Sequence, residues 1–240
     1  MSIRYVCIGL IFYFLGHRKI PLDRDALIVA GAASASTIFW SLGLQYVSGG
    51  DSAVLSYTMP LFSIPIAFVI IKERISIREL MGAAVGFGGV VIYSLTLDHG
   101  SLLVGAILTI LNAVFWAIFS VYYRKLRTRE QFPLLTTQFL VGSIPMIAGS
   151  FFDLRLNFSM SLAIDVVYVI VFSGAIQFFL WNGLLRRARV GRVTTLAFAV
   201  PATTILIDSV VALSFPEPLA IIGGAVMFVG IFIASWHKGR

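Results

Sequence analysis

Asp208 is the acid that the sequence sets deepest in an apolar stretch, TTLAFAVPATTILIDSVVALSF. A carboxylate at the centre of a membrane helix costs about 2.5–3.5 kcal/mol, and less toward the interface. A group kept there has one obvious chemistry, the binding of a proton or of a solute's charge. Asp208 lies about five residues from the end of its stretch, so interfacial placement competes with that role. Two prolines mark a second kind of chemistry. Pro60, in YTMPLFSIPIAFVIIKER, and Pro201 each lack a backbone donor and free the carbonyl four residues back, those of Ser56 and Ala197. In hydrocarbon such a carbonyl needs water or a polar solute.

Helical spacing puts Ala53, Tyr57, Pro60, Ser63 and Ala67 on one face, and Thr194, Phe198, Pro201, Thr204 and Asp208 on another. Both faces are small, aromatic or polar, as a solute pathway requires. Tyr57, Ser63, Phe198 and Thr204 are therefore expected to line a cavity, with Pro60 and Pro201 breaking its helices and Trp40 as a further wall. Glu73, between Lys72 and Arg74, and Glu217 sit at span ends and are expected to fix topology or gate. Asn112, Gln138, Gln177 and Asn182 are amides inside apolar runs and read as interhelical glue.

Other chemistries lack their residues. His17, His99 and His237 are far apart in sequence and Cys7 is alone, so neither a metal cluster nor a disulfide is expected. No HExxH, GxSxG or GxxxxGK[ST] pattern occurs. GFGGV at 86–90 lies inside an apolar run with no soluble strand before it, which removes a dinucleotide reading. No cofactor and no enzymatic activity are expected.

The elements that must position these residues follow from composition. Of 240 residues, 59% are hydrophobic and 12% charged, with mean hydropathy +0.96. An ordinary soluble domain is about 45–50% apolar and about 25% charged. The expected class is an all-α membrane protein with spans near 2–16, 25–47, 52–71, 78–96, 101–122, 132–152, 162–185, 191–213 and 218–236, nine in all. Across the loops between them, 16 of the 18 basic residues fall on one side and only Arg4 and Arg155 on the other. The positive-inside rule then sets the C-terminus in the cytoplasm of a cell-membrane protein. It also explains the net charge of +7 without nucleic acid.

A gapless shift of 141 residues aligns Trp40 with Trp181, Gly50 with Gly191, Pro60 with Pro201, Gly82 with Gly223 and Gly89 with Gly230. It moves the third span onto the eighth, five along. Five is odd, so the copies run in opposite directions, as in the inverted repeats of many secondary transporters.

The stretches LSYTMPLFSIPIAFVIIKERISIRELMGAAVGFGGVVIY, LNAVFWAIFSVYYRKL and LWNGLLRRARVGRVTTLAFAVPATTILIDSVVALSFPEPLAIIGGAVMFVGIFIAS carry a resemblance over nearly the whole chain. It resembles the drug/metabolite transporter superfamily, EamA type. The resemblance implies two inverted five-helix repeats, both termini inside, and export or uptake of amino acids, other metabolites or drugs without ATP hydrolysis. Here the expected pattern is four plus five, with repeats at 1–99 and 100–240 and no counterpart expected for the family's first helix. The family's acid after the proline helix matches Glu73, whereas Glu217 is displaced by three positions from the equivalent place. The expected function is export of a small metabolite by alternating access, with protons as the coupling ion. Two alternatives stand beside it, a non-transporting membrane interaction subunit and an intramembrane lipid-modifying enzyme. The latter needs acids, His or a nucleophile clustered at one depth, where the sequence offers only Asp208.

Overall fold

The computed structural model describes residues 1–47, 52, 55–96, 103–150, 160–203, 207, 213, 215 and 217–236. Helices are α1 (Ser2–Leu15), α2 (Arg24–Gly43), α3 (Met59–Ile71), α4 (Ile77–Ser94), α5 (Leu103–Lys125), α6 (Gln131–Leu140), α7 (Ser143–Ser150), α8 (Met160–Ile170), α9 (Gln177–Arg187), α10 (Val190–Thr195) and α11 (Pro218–Ser235). No strand occurs among the described residues. Six helical stretches there are long and apolar enough to cross a membrane: Arg24–Gly43, Ile77–Ser94, Leu103–Lys125, Gln131–Gly149, Asp165–Arg187 and Pro218–Ser235. Ser2–Leu15 and Met59–Ile71 are apolar but shorter, and the expected span at 191–213 lies partly outside the described residues.

The chain forms two compact units, and neither is a continuous half of the sequence. One comprises Met1–Ile38 with Ile118–Arg187, the other Phe39–Ala117 with Ala188–Arg240.

In the first unit, α1 buries Tyr5, Ile8, Gly9 and Phe12, the i, i+3, i+4, i+7 stripe of an amphipathic helix. A Cβ on Gly9 would come within 2.5 Å of Leu140 Cδ2, so glycine lets α1 close on α6. Tyr5 stacks edge-on against Phe139, which meets Phe178 in turn, with ring centroids 5.1 and 5.0 Å apart. The Tyr5 hydroxyl shares a hydrogen bond with Thr37 Oγ1 at 2.7 Å. Two expected spans are interrupted. A turn at Val141–Gly142 separates α6 from α7, and a π-helical turn, Val171–Ile176, joins α8 to α9. Arg4 donates to the Ser173 carbonyl of that π turn, a contact invisible to a reading that counted Arg4 only as a charge.

At one end of this unit Lys125 pairs with Asp25 at 2.8 Å, Lys19 with Glu130 at 3.7 Å, and Arg129 with Asp23. The Arg129 hydrogen bond holds the Asp23 carboxyl below the usual carboxylate range. Its folded-state value is depressed, so the stabilisation is present at neutral pH and lost as pH falls through that value. Both side chains are some 40% exposed, so solvent screening keeps the pair at about 1 kcal/mol or less. Asp23→Asn is expected to lower the thermal midpoint slightly at pH 7. In acid well below the usual aspartate value of about 3.9 it should match wild type.

The second unit is organised around α4 and α11. Both are 18 residues long, and their first and last residues are each 141 apart. They pack antiparallel on glycines. A Cβ on Gly82 would fall 2.6 Å from the Gly230 carbonyl oxygen, and one on Gly223 would fall 2.8 Å from that of Gly89. Likewise Gly89 faces Met227 N at 2.7 Å, and Gly230 faces Gly86 N at 2.5 Å. Under the 141-residue shift each contact becomes the other, so this helix pair has a local two-fold relation. Small residues let membrane helices approach this closely.

Candidate functional site

The second unit also holds the two proline segments. Before α3 the chain turns at Tyr57 and Thr58. The Thr58 N–H donates to the Leu55 carbonyl at 3.2 Å, three residues back instead of four. The Thr58 hydroxyl donates to the same oxygen at 2.7 Å. In the other copy a 3-10 turn, Leu196–Phe198, ends with the Ala199 N–H on the Leu196 carbonyl, again three residues back. Positions 55 and 58 are the repeat equivalents of 196 and 199. The helical ladder therefore lapses at matching places in both copies.

This corrects the expected role of Pro60. It does not break a helix from inside but stands in the first turn of α3, where its missing N–H has no intrahelical partner to lose. The proline interior to α3 is Pro65. Pro201 is buried within the helical residues 199–203, directly after the 3-10 turn. Asn112 of α5, read from sequence as glue, stands at the break and donates to Ser56 Oγ at 2.9 Å. Tyr57 is half-buried beside the break and packs, with Tyr93 and Phe87, against Val90, Phe198, Ala202 and Met227.

Three further residues expected at the site are placed as follows. Phe198, expected in a cavity wall, is fully buried, and its ring lies where a Cβ on Gly86 would be, 2.4 Å away. It wedges the core because α4 offers a glycine there. Ser63 is also fully buried and shares a 2.8 Å hydrogen bond with Thr194 Oγ1, so α3 and α10 satisfy each other's hydroxyls. Trp40 sits in the last turn of α2 and not deep in a span. The chain leaves the helix at Gly43, where a Cβ would meet Thr109 Oγ1 at 2.8 Å. Thr204 and Asp208 lie outside the described residues.

The acids at the span ends part company. Glu217 is exposed just before α11. Glu73 instead accepts the Val190 N–H at 3.0 Å. Next to it Glu79, which sequence reading passed over, is 4% exposed and pairs with Arg189, Oε1 to Nε, at 3.3 Å. The signal for Glu79 was present, since it precedes Gly82, Gly86 and Gly89 at helical spacing and so shares their buried face. Among the described residues no group of three His, Cys, Asp or Glu could hold a metal ion.

Residues 1–95 and 103–236 match the model of the EamA-like transporter family. The chain belongs to that family. This EamA-like transporter is 39% identical over 238 residues to an uncharacterised transporter of Acidianus ambivalens, covering 99% of this chain and 93% of that one. It is 26% identical over 234 residues to a probable terminal-alkyne amino-acid exporter of Streptantibioticus cattleyicolor, covering 92% and 76%. A solved crystal structure superposes with a TM-score of 0.83 at 18% identity, over 98% of this chain and 85% of the other, which shows a shared fold. The EamA-like transporter is thus a multi-pass membrane protein whose relatives carry transporter names.

Proposed function

We propose that this transporter exports a small metabolite of the amino-acid class by alternating access, its two inverted repeats being residues 1–99 and 100–240 and its C-terminus cytoplasmic. The observation that carries this reading is the pair of matching ladder breaks at Leu55–Thr58 and Leu196–Ala199. Secondary transporters with inverted repeats bind solute where helices are discontinuous, because unpaired backbone groups there can take a polar ligand. Ser56, Asn112 and Tyr57 give the first break its side-chain polarity. The exporter name borne by one relative supports the direction and the solute class.

Protons are the proposed coupling ion, with Asp208 as the group that carries them. Flux of labelled amino acids from proteoliposomes of the purified chain tests the reading. Counterflow should be saturable, and Asn112→Leu, which removes the amide at the break, should reduce it about tenfold or more, as loss of a well-placed polar contact does. The folded fraction should stay near wild type. Asp208→Asn should abolish the pH dependence of flux. An absence of flux for every amino acid tried, in correctly inserted protein, would overturn the solute class.

A further inference from the structure

At the basic end of the second unit, Ile64, Ala67, Glu73, Glu79, Arg189 and Gly191 line a narrow cleft. Three chain segments meet there: the end of α3, the start of α4 and the connection into α10. Lys72 closes α3 in the left-handed region, φ 54°, which a lysine rarely adopts. Strain of that kind persists where neighbours over-determine it. Here it turns the chain so that Glu73 meets the Val190 N–H, while Glu79 reaches Arg189. Gly191 leaves just enough space, since a Cβ there would lie 3.0 Å from Glu79 Oε2.

The arrangement breaks the two-fold relation that governs the rest of the α4–α11 pair. Shifted by 141 residues, Glu79 becomes Ala220, and Arg189 corresponds to Ser48. Alanine and serine at the repeat-equivalent positions cannot form this ion pair. A buried carboxylate cannot leave its partner without water or another cation to receive it. Separating these segments therefore requires water to enter the cleft first.

We propose that the Glu79–Arg189 ion pair and the Glu73–Val190 hydrogen bond form a one-sided latch, which must open whenever this end of the unit opens to solvent. The latch rests on the alternating-access reading and adds an asymmetry to it. A carrier with near-symmetric halves would open either end equally, whereas this one favours closure at the end holding the Glu79–Arg189 pair. Glu79 and Arg189 are gating residues and need not touch solute.

The test is cysteine labelling, which reads opening without reading flux, so a failed latch and a failed carrier give separate results. In a Cys7→Ser background, Ala67→Cys puts a thiol on a cleft-lining residue that is 3% exposed. Reaction with a membrane-impermeant maleimide added at the basic side should be slow. Glu79→Gln, and separately Arg189→Gln, should each speed it about tenfold, the population shift expected when one charge of a partly buried pair is removed. Exchanging the charges, Glu79→Arg with Arg189→Glu, should slow it again. Unchanged labelling in both single variants would overturn the latch. Labelling in the exchanged protein as fast as in the singles would overturn it equally, because a merely loosened fold is not repaired by swapping charges.

Discussion

Gly89→Ala and Gly230→Ala are expected to destabilise the protein by about 1–3 kcal/mol each, the usual penalty for overpacking a tight core. Each added Cβ would sit within 2.7 Å of backbone atoms on the facing helix, 2.7 Å from Gly223 O for Gly89 and 2.5 Å from Gly86 N for Gly230. Backbone cannot swing aside like a flexible side chain, so α4 and α11 must separate. The two-fold relation adds a sharper expectation, that Gly82→Ala and Gly223→Ala cost similar amounts. Gly88 supplies the control. It lies on the same helix with nothing within 4 Å of its Cβ position, so Gly88→Ala should be neutral or stabilising by about 0.5–1 kcal/mol. Thermal unfolding in detergent measures all five. If Gly88→Ala were as harmful as Gly89→Ala, close approach would not be the cause.

Asn182→Leu is expected to destabilise the first unit by about 1–3 kcal/mol, and the double variant Asn182→Leu/Gln138→Leu by less. Asn182 Nδ2 donates to Gln138 Oε1 at 2.9 Å, and both residues are fully buried. Removing one leaves the other's polar atoms buried without the partner they have here. Gln138 Nε2 and Asn182 Oδ1 already lack a protein partner, so a further loss there is poorly tolerated. Removing both takes the polar atoms away together. The same unfolding assay separates the outcomes, and a double variant showing the full sum of the single losses would rule out coupling between the two amides.

Much of the second unit is legible in the sequence. The glycines recur at helical spacing and repeat after 141 residues, and both properties reflect close backbone approach, which only small residues permit. The proline segments were legible as places where helix must lapse. The mode of lapse was not, since proline is equally at home in a first turn, and the i→i−3 bond that precedes Pro60 belongs to Leu55 and Thr58. The Glu79–Arg189 pair joins positions 110 apart in sequence, and charges near span ends look alike until packing buries one of them. The π turn at Val171–Ile176 has no local breaker except Gly174, against which Ile8 of α1 packs. Tertiary contact sets such irregularities, so composition and period cannot reveal them.

The glycine seam between α4 and α11 joins segments that leave the ribosome far apart in time. Until Pro218–Ser235 has been synthesised, the glycine strip of α4 has no groove to receive it. Helix α11 thus completes the second unit, and a polypeptide lacking it would carry an unfinished seam open to pairing with another copy.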